Sequence, residues 1–153
     1  MKLFCQMQEE GMKPDNYSFS IFIGAIANLE YLEFGRQVHA YILKVGFELD
    51  ITVRNALITM YAKCGSIKDA YSAFEKIPEW NVISWGSMIV GYAQHGCGKE
   101  ALQLFERMQH TGMKPSHITF VGVISVFNHV GLVDEGYYYF NSMSRDHGIT
   151  PDI

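Results

Sequence analysis

The sequence predicts an all-α fold, a right-handed α-solenoid of helix–turn–helix repeats, and two observations lead to this prediction. The first is a duplication: the segment GMKP at 11–14 returns at 112–115, with further identities in the residues before each copy. The second is a regular spacing of 35, 31 and 35 residues between four small residues in one apolar context, Gly35, Ala70, Ala101 and Gly136. Internal repetition of this period is typical of stacked helical arrays.

Each small residue begins the apolar stripe of an amphipathic helix. Apolar residues follow Ala70 at the third, fourth and seventh positions, and the same spacing follows Ala101 and Gly136. The stripe after Gly35 keeps this spacing but holds His39 where the later copies hold phenylalanine. Those phenylalanines are expected in the core: Phe74, Phe105 and Phe140.

A second helical column precedes each stripe, so each unit contains two helices. Glycines between the two helices of the later units suit a left-handed helix end, whereas the first unit has Glu30 there and a different closure is expected. Ser66 and Asp69 have the spacing of a capping box. We place the units of one continuous solenoid domain at 1–15 (the second half of a truncated unit), 16–50, 51–81, 82–116 and 117–152. Because the chain starts within a unit, we expect it to be a segment of a longer array.

Composition argues against several other classes of protein. Hydrophobic residues make up 48% and charged residues 18%, which predicts a folded chain rather than a disordered one. No apolar run is long enough to cross a membrane, and the start of the chain resembles neither a secretory signal nor a transit peptide. Three widely separated cysteines indicate a reducing compartment rather than a disulfide framework.

The sequence contains no arrangement of residues that indicates catalysis. A zinc deaminase needs His-x-Glu followed by Cys-x-x-Cys, and neither pattern is present. A glycine-rich phosphate loop and a G-x-S-x-G nucleophile motif are also missing. We therefore predict no enzyme activity, no cofactor, no metal site and no small-molecule substrate.

Three segments resemble a known repeat family. They are NALITMYAKCGSIKDAYSAFEKIP, NVISWGSMIVGYAQHGCGKEALQLFERMQHTGMKP and SHITFVGVISVFNHVGLVDEGYYYFNSMSRDHGITPD. They are similar to the short, standard and long forms of the pentatricopeptide repeat (PPR), as these alternate in the plant PLS class. By this resemblance, 16–50 and 117–152 are long repeats, 51–81 is a short repeat and 82–116 is a standard one. The resemblance covers essentially the whole chain and implies binding of single-stranded RNA, one base per repeat.

The resemblance also implies which residues contact the bases. One reading residue lies a turn into the first helix and the other ends the unit, which gives four pairs: Ser20 with Asp50, Asn55 with Asn81, Gly86 with Ser116, and Val121 with Asp152. Residues that pack against the flat face of a base are implied at Tyr17, Thr52, Ile83 and Ile118. The asparagine pair resembles a pyrimidine reader, and the Ser–Asp pair resembles a purine reader that leans towards guanine. Gly86 and Val121 offer no hydrogen-bonding side chain, so their units are expected to read poorly.

Two functions remain open from the sequence. The first is the RNA-recognition segment of a processing factor in a mitochondrion or chloroplast, one for C-to-U editing that acts with other editing-complex proteins. The second is a protein-interaction solenoid without RNA readout, favoured by the net charge of −4, which gives little attraction to phosphates. For the polar reading residues, hydrogen bonding at helix ends is the competing role. Arg54 and Lys63 are expected to be solvated surface charges.

Overall fold

The computed structural model of the protein describes Gly11 and residues 14–150, without the side chains at 129 and 130. The predicted half-unit at 1–15 lies mostly outside this part of the chain, and so does Asp152, the predicted reading partner of Val121. Every regular element in the described part is an α-helix. The helices are α1 (Asn16–Leu29), α2 (Leu32–Val45), α3 (Ile51–Lys63), α4 (Ile67–Glu75), α5 (Val82–Gln94), α6 (Gly98–His110), α7 (His117–Val130) and α8 (Val133–Arg145).

The helices pair into four hairpins, which we number 1 to 4: α1–α2, α3–α4, α5–α6 and α7–α8. The first helices of the hairpins (α1, α3, α5 and α7) pack against one another in sequence and form one layer. Each second helix packs closely against its own partner, and α2, α4 and α6 also pack against the first helix that follows. Throughout residues 14–150, close packing joins only hairpins that are adjacent in sequence. This arrangement is an open α-solenoid and confirms the predicted fold class.

Each first helix begins at a side chain that caps it. Asp15, Asp50, Asn81 and Ser116 each stand just before a first helix, and each accepts a hydrogen bond from a backbone N–H of its first turn. These caps satisfy N–H groups that have no carbonyl partner within the helix. The four side chains thus fix where the layer of first helices starts.

Two local details differ from the sequence-based expectations. Glu30 ends α1 in the left-handed region, with φ of 52°, so hairpin 1 closes like the later ones without their glycine. A non-glycine residue pays about 1–2 kcal/mol for this conformation. The capping box predicted at Ser66 is also wrong: its Oγ donates to the Asp69 carboxylate at 2.7 Å, and no side chain caps α4.

The apolar stripes of the second helices pack against the first helix that follows. Phe74 and Phe105 are buried, and each meets an aromatic ring of the following first helix. Phe140 holds the same position in hairpin 4 but is 40% exposed, so its predicted place in the core is wrong. The reason is that a following hairpin covers the first two rings, whereas α8 is the last helix that the structure describes.

Arg54 also contradicts its expected solvent exposure. Its exposed fraction is 2%, because it occupies the inward position that Trp85 and Phe120 occupy in α5 and α7. Lys63, by contrast, is exposed as expected, and its Nζ donates to Asn28 Oδ1 at 3.0 Å. A buried cation therefore lies between hairpins 1 and 2, at a position that is aromatic in the later hairpins.

Candidate nucleic-acid interface

The first helices carry a row of exposed residues at equivalent positions. The second residue of each first helix is exposed: Tyr17, Thr52, Ile83 and Ile118. Ile83 and Ile118 are 56% and 57% exposed, although isoleucine is among the residues most often buried. The predicted reading residues follow three positions later, so both sets lie on one face of each helix. The structure therefore brings the predicted packing and reading positions together along the layer of first helices.

The predicted pair Asn55 and Asn81 is in direct contact. Asn55 Nδ2 donates to Asn81 Oδ1 at 3.4 Å, across 26 residues of sequence. The same Oδ1 caps α5, since it accepts from the backbone N–H of Ser84 at 2.9 Å and from its hydroxyl at 3.0 Å. Because the cap requires Oδ1 on this side, the Asn55 amide must turn its NH₂ group towards Asn81.

In this orientation, two hydrogen-bonding groups of the pair have no partner among the described residues. Asn55 is 8% exposed, and its Oδ1 is buried with no partner in the described part of the chain. Asn81 is half-buried, and its Nδ2 makes no hydrogen bond among the described residues. The pair therefore leaves one buried acceptor, Asn55 Oδ1, and one donor, Asn81 Nδ2, without a partner among the described residues.

Ser20 and Asp50 do not bond each other, and both are tied to Asn16. Ser20 Oγ donates to the backbone oxygen of Asn16 at 2.8 Å, and Asn16 Nδ2 donates to Asp50 Oδ2 at 3.0 Å. Asp50 Oδ1 caps α3 by accepting from the backbone N–H groups of Thr52 and Val53 at 2.9 and 3.0 Å. Since the Ser20 proton is already donated, this pair has only acceptor capacity left.

The other two predicted pairs have no polar side chain at the first reading position. A side chain at Gly86 would meet Ile118 Cγ2 at 3.7 Å and Thr119 Oγ1 at 3.6 Å, so this part of α5 faces the start of α7. Ser116 forms a reciprocal capping box with Thr119 at that start. Val121 is exposed and apolar, and its predicted partner lies outside the described residues.

The residues predicted to end each unit act as helix caps, which was the competing role for them. Asp50, Asn81 and Ser116 all cap a first helix, and so does Asp15 before α1. At Asp15, hydrogen bonds from the Ser18 hydroxyl and backbone N–H lower the pKa of the carboxyl. Capping uses one oxygen of each side chain. The second oxygen of Asp15 and Asn81 Nδ2 make no other hydrogen bond among the described residues, whereas Asp50 Oδ2 already accepts from Asn16.

Sequence reasoning did not connect four polar residues further along the first helices with the same helical face. Thr59, Lys63, Ser87 and Gln94 line one depression of about 190 Å³ between α3 and α5, and Ile118 of α7 also borders it. They follow the packing positions of α3 and α5 by four, seven or eleven residues, which keeps them on that face. Helical periodicity counted from Thr52 and Ile83 was the signal that could have identified them.

Other site chemistries find no support in the described residues. Among the side chains that the structure describes, no three His, Cys, Asp or Glu residues are grouped in a way that could hold a metal ion. No described helix is long and apolar enough to cross a membrane. The exposed face of the first helices is thus the surface on which a functional interpretation rests.

Comparison with known proteins identifies the repeats. Family models match the chain as the PPR repeat family at residues 80–129, and as the PPR repeat at 53–82 and 118–147. The pentatricopeptide repeat-containing protein At2g13600 of Arabidopsis thaliana is 45% identical over 99% of this chain and 22% of its own length. Another from that plant, At4g33170, is 47% identical over 99% of this chain and 15% of its own length. The chain thus spans about a fifth of the length of the curated relatives it matches.

Solved structures match the same architecture. PPR10 in complex with an 18-nucleotide psaJ RNA element superimposes with a TM-score of 0.84 at 22% identity, covering 97% of this chain and 22% of that one. PPR10 from maize superimposes with a TM-score of 0.74 at 22% identity, covering 99% of this chain and 22% of that one. At this identity the likeness establishes the fold alone. The family itself follows from the sequence matches: this chain belongs to the pentatricopeptide repeat family.

Proposed function

We propose that this array binds single-stranded RNA along the layer of first helices, one base per repeat. The observation that carries the proposal is the Asn55–Asn81 pair, in which a helix cap orients two amides and leaves one acceptor and one donor over. PPR10, whose solved complex holds an RNA element, has the same fold and supports RNA as the ligand. The family is one of helical repeat arrays, in agreement with the prediction that this array is not an enzyme.

The Asn55–Asn81 pair suits the edge of a pyrimidine. Asn55 Oδ1 needs a donor and Asn81 Nδ2 needs an acceptor, and both pyrimidines carry one of each on neighbouring positions of their Watson–Crick edge. A buried acceptor without a donor costs about 1–3 kcal/mol. Because Asn55 Oδ1 is buried, a base N–H reaches it only if the Asn55 side chain turns outward, and the new hydrogen bond would then recover part of this cost. The preference for a pyrimidine over a purine rests on the family resemblance, and the repeat at 51–81 is the proposed principal reader.

The neighbouring repeats contribute less. In the repeat at 16–50, Ser20 and Asp50 can only accept, which suits guanine because its edge presents two adjacent N–H donors. Gly86 and Val121 add no hydrogen bond to a base. Exposed Ile83 and the aromatic ring of Tyr17 offer surface for the flat face of a base, and stacking on aromatic side chains contributes about 1–3 kcal/mol per base.

Electrostatics sets an upper limit on the affinity of this array alone. The net charge is −4. Lys63 borders the depression between α3 and α5, and its Nζ is already bonded to Asn28. A surface that neutralises few phosphates releases few counterions, so the binding should be weak and should depend little on salt. We propose that tight recognition needs the further repeats of a longer protein, since the relatives are about five times longer.

The finer function that we propose is guidance of C-to-U editing in a mitochondrion or chloroplast, together with proteins of an editing complex. The support is the alternation of repeat lengths at 16–50, 51–81, 82–116 and 117–152, which resembles the PLS class. Two relatives in Arabidopsis thaliana carry "mitochondrial" in their names. A protein-interaction scaffold is the second candidate, because exposed Ile83, Ile118 and Val121 form an apolar row that a peptide could also cover.

Crosslinking in the source organelle separates the two candidates. The intact protein and three variants are crosslinked to RNA and to protein partners. Asn55→Ala removes one amide of the proposed reading pair, and Asn81→Ser removes the other but keeps a capping oxygen. Gln37→Ala changes an exposed amide of α2 and serves as the control. We expect the first two variants to lose crosslinks at one pyrimidine and the third to keep them. Unchanged RNA crosslinks in all variants, with protein partners lost in Asn55→Ala, would favour the scaffold.

A further inference from the structure

The three junctions between hairpins are not built alike. At the second junction Phe74 meets Trp85 edge to face, with ring centroids 5.2 Å apart. At the third, Phe105 meets Phe120 in the same way at 5.6 Å. The first junction, between hairpins 1 and 2, has ionisable residues at both of these repeat positions, His39 in α2 and Arg54 in α3. A pair of ionisable groups thus stands where the later junctions have a pair of aromatic rings.

The polar groups of the first junction are incompletely satisfied. Arg54 is 2% exposed, and its Nε donates to the backbone oxygen of Glu48. Its Nη1, Glu48 Oε2 and His39 Nε2 are buried with no partner among the described residues. His39 Nδ1 lies 2.8 Å from the Tyr61 hydroxyl. Burial of unpaired polar groups destabilises this junction relative to the aromatic ones.

The charges around His39 disfavour a proton on its ring. The His39 ring faces Arg54 and the Tyr61 hydroxyl of α3, and it faces Lys76 just after α4. Asp69 of α4 is negatively charged and favours the proton instead. Burial first, and then Arg54 and Lys76, lower the pKa of His39. Asp69 stays ionised in mild acid, because hydrogen bonds from Ser66 and Arg36 lower the pKa of its carboxyl.

We propose that the first junction is a proton-operated joint of the array: protonation of His39 adds a second cation beside buried Arg54 and parts hairpin 1 from hairpin 2, while the two aromatic junctions stay closed. The Arg36–Asp69 ion pair at 3.0 Å also spans this junction. It is largely exposed and therefore weak, and it does not titrate in the relevant range. Opening would separate the predicted reading pair of the first repeat, since Asn16 in α1 holds Asp50 before α3.

The direction and size of the effect follow from proton linkage. Folding lowers the pKa of His39, so the closed junction binds the proton less well than the open one. The closed junction therefore keeps its full stability above pH 6.5, the ordinary pKa of histidine, and loses it as the pH falls from 6.5 towards the folded pKa. Between pH 7.5 and pH 5, one such histidine can multiply the opening constant by at most about thirty-fold. The aromatic junctions contain no group of this kind at the equivalent positions.

Hydrogen exchange followed by mass spectrometry on the 153-residue chain tests the joint. Protection factors are measured at pH 7.5 and pH 5 after correction for the intrinsic pH dependence of amide exchange. We expect protection in α1, α2 and the start of α3 to fall by more than about two-fold and at most about thirty-fold, and protection in α5 and α6 to stay within about two-fold. His39→Gln, which cannot be protonated, and His39→Phe, which restores the later pattern, should both abolish the fall. His110→Gln, at an exposed position of α6, should not.

Two results would overturn the proposal. One is an equal loss of protection at all three junctions on acidification, which would mean general acid unfolding. The other is a fall that persists in His39→Gln, which would assign the proton to another group. If His39→Phe fails to fold beside Arg54, His39→Gln alone still decides the question, because glutamine retains a polar side chain that can bond to the Tyr61 hydroxyl.

Discussion

One phenylalanine position, shared by three hairpins, tests what holds the array together. Phe105 is 2% exposed and lies against Phe120 and Tyr139, with ring centroids 5.6 and 6.0 Å away, whereas Phe140 is 40% exposed. We expect Phe105→Ala to lower the free energy of unfolding by about 3–5 kcal/mol, the usual cost of deleting a buried ring. The same change at Phe140 should cost about 1–2 kcal/mol, because only part of that ring leaves water on folding.

The difference between the two costs has a physical origin. Deleting Phe105 leaves a cavity beside α7 and removes two edge-to-face contacts, each worth about 0.5–1.5 kcal/mol. Deleting Phe140 leaves a space that water can enter, so no cavity cost arises. Because each hairpin contacts only its neighbours, the Phe105 change should also uncouple hairpin 4 from hairpin 3.

Urea unfolding measures both costs. Far-ultraviolet circular dichroism follows all helices, and the fluorescence of Trp80 and Trp85 follows hairpins 2 and 3. For Phe105→Ala we expect the two signals to separate and the slope of the helical transition to fall, as in an array that no longer unfolds as one unit. Equal destabilisation by the two alanine variants would refute the reasoning, since it would show that burial by the next hairpin contributes nothing.

Three further predictions concern caps, close packing and alkaline pH. Asn81→Ala should lower the stability by about 1 kcal/mol through loss of the cap of α5, whereas Asn81→Asp should be nearly neutral; thermal unfolding compares them. Gly122→Ala should destabilise the folded protein by about 1–3 kcal/mol, because the new Cβ would lie 3.2 Å from the backbone of α5. Gly24 has open space around it, so Gly24→Ala should be neutral or stabilising. Urea titration compares the two. Burial raises the pKa of Tyr61 and Tyr92 to about 12, so both side chains stay neutral in the folded state up to that pH. Their contribution to stability is complete below pH 10 and should be lost as the pH rises from 10 towards 12. Circular dichroism follows the loss of helix, and absorbance follows the phenolate.

Local patterns made the helices predictable from the sequence. The apolar spacing after Ala70 and Ala101 repeats within one or two helical turns, so it reports a property of each segment alone. Burial between hairpins depends on neighbours instead, which explains the wrong expectation for Phe140. Arg54 shows the same limit: its alignment with Trp85 and Phe120 was visible in the repeat, but its charge favoured an assignment to the surface.

The same limit applies to the candidate site: local spacing was predictable, and contacts between hairpins were not. That Asn55 and Thr52 share a helical face follows from a spacing of three residues and needs no structure. The contact of Asn55 with Asn81 spans 26 residues, and only the resemblance predicted that the two act together. The orientation of both amides could not be predicted, because it depends on the hydrogen bond from Ser84 that caps α5.

The proposed double role of Asp50, Asn81 and Ser116, as helix caps and as base contacts, restricts which substitutions the site can accept. Asp50, Asn81 and Ser116 all start a first helix, and this cap position favours Asn, Asp and Ser, then Thr, over apolar residues by about 1 kcal/mol. A change of base preference at this position must therefore choose among side chains that keep a capping oxygen. Asn81→Asp meets that condition and replaces the free Nδ2 donor by an acceptor. Any change in RNA preference that it causes would then report on the base contact rather than on the helix.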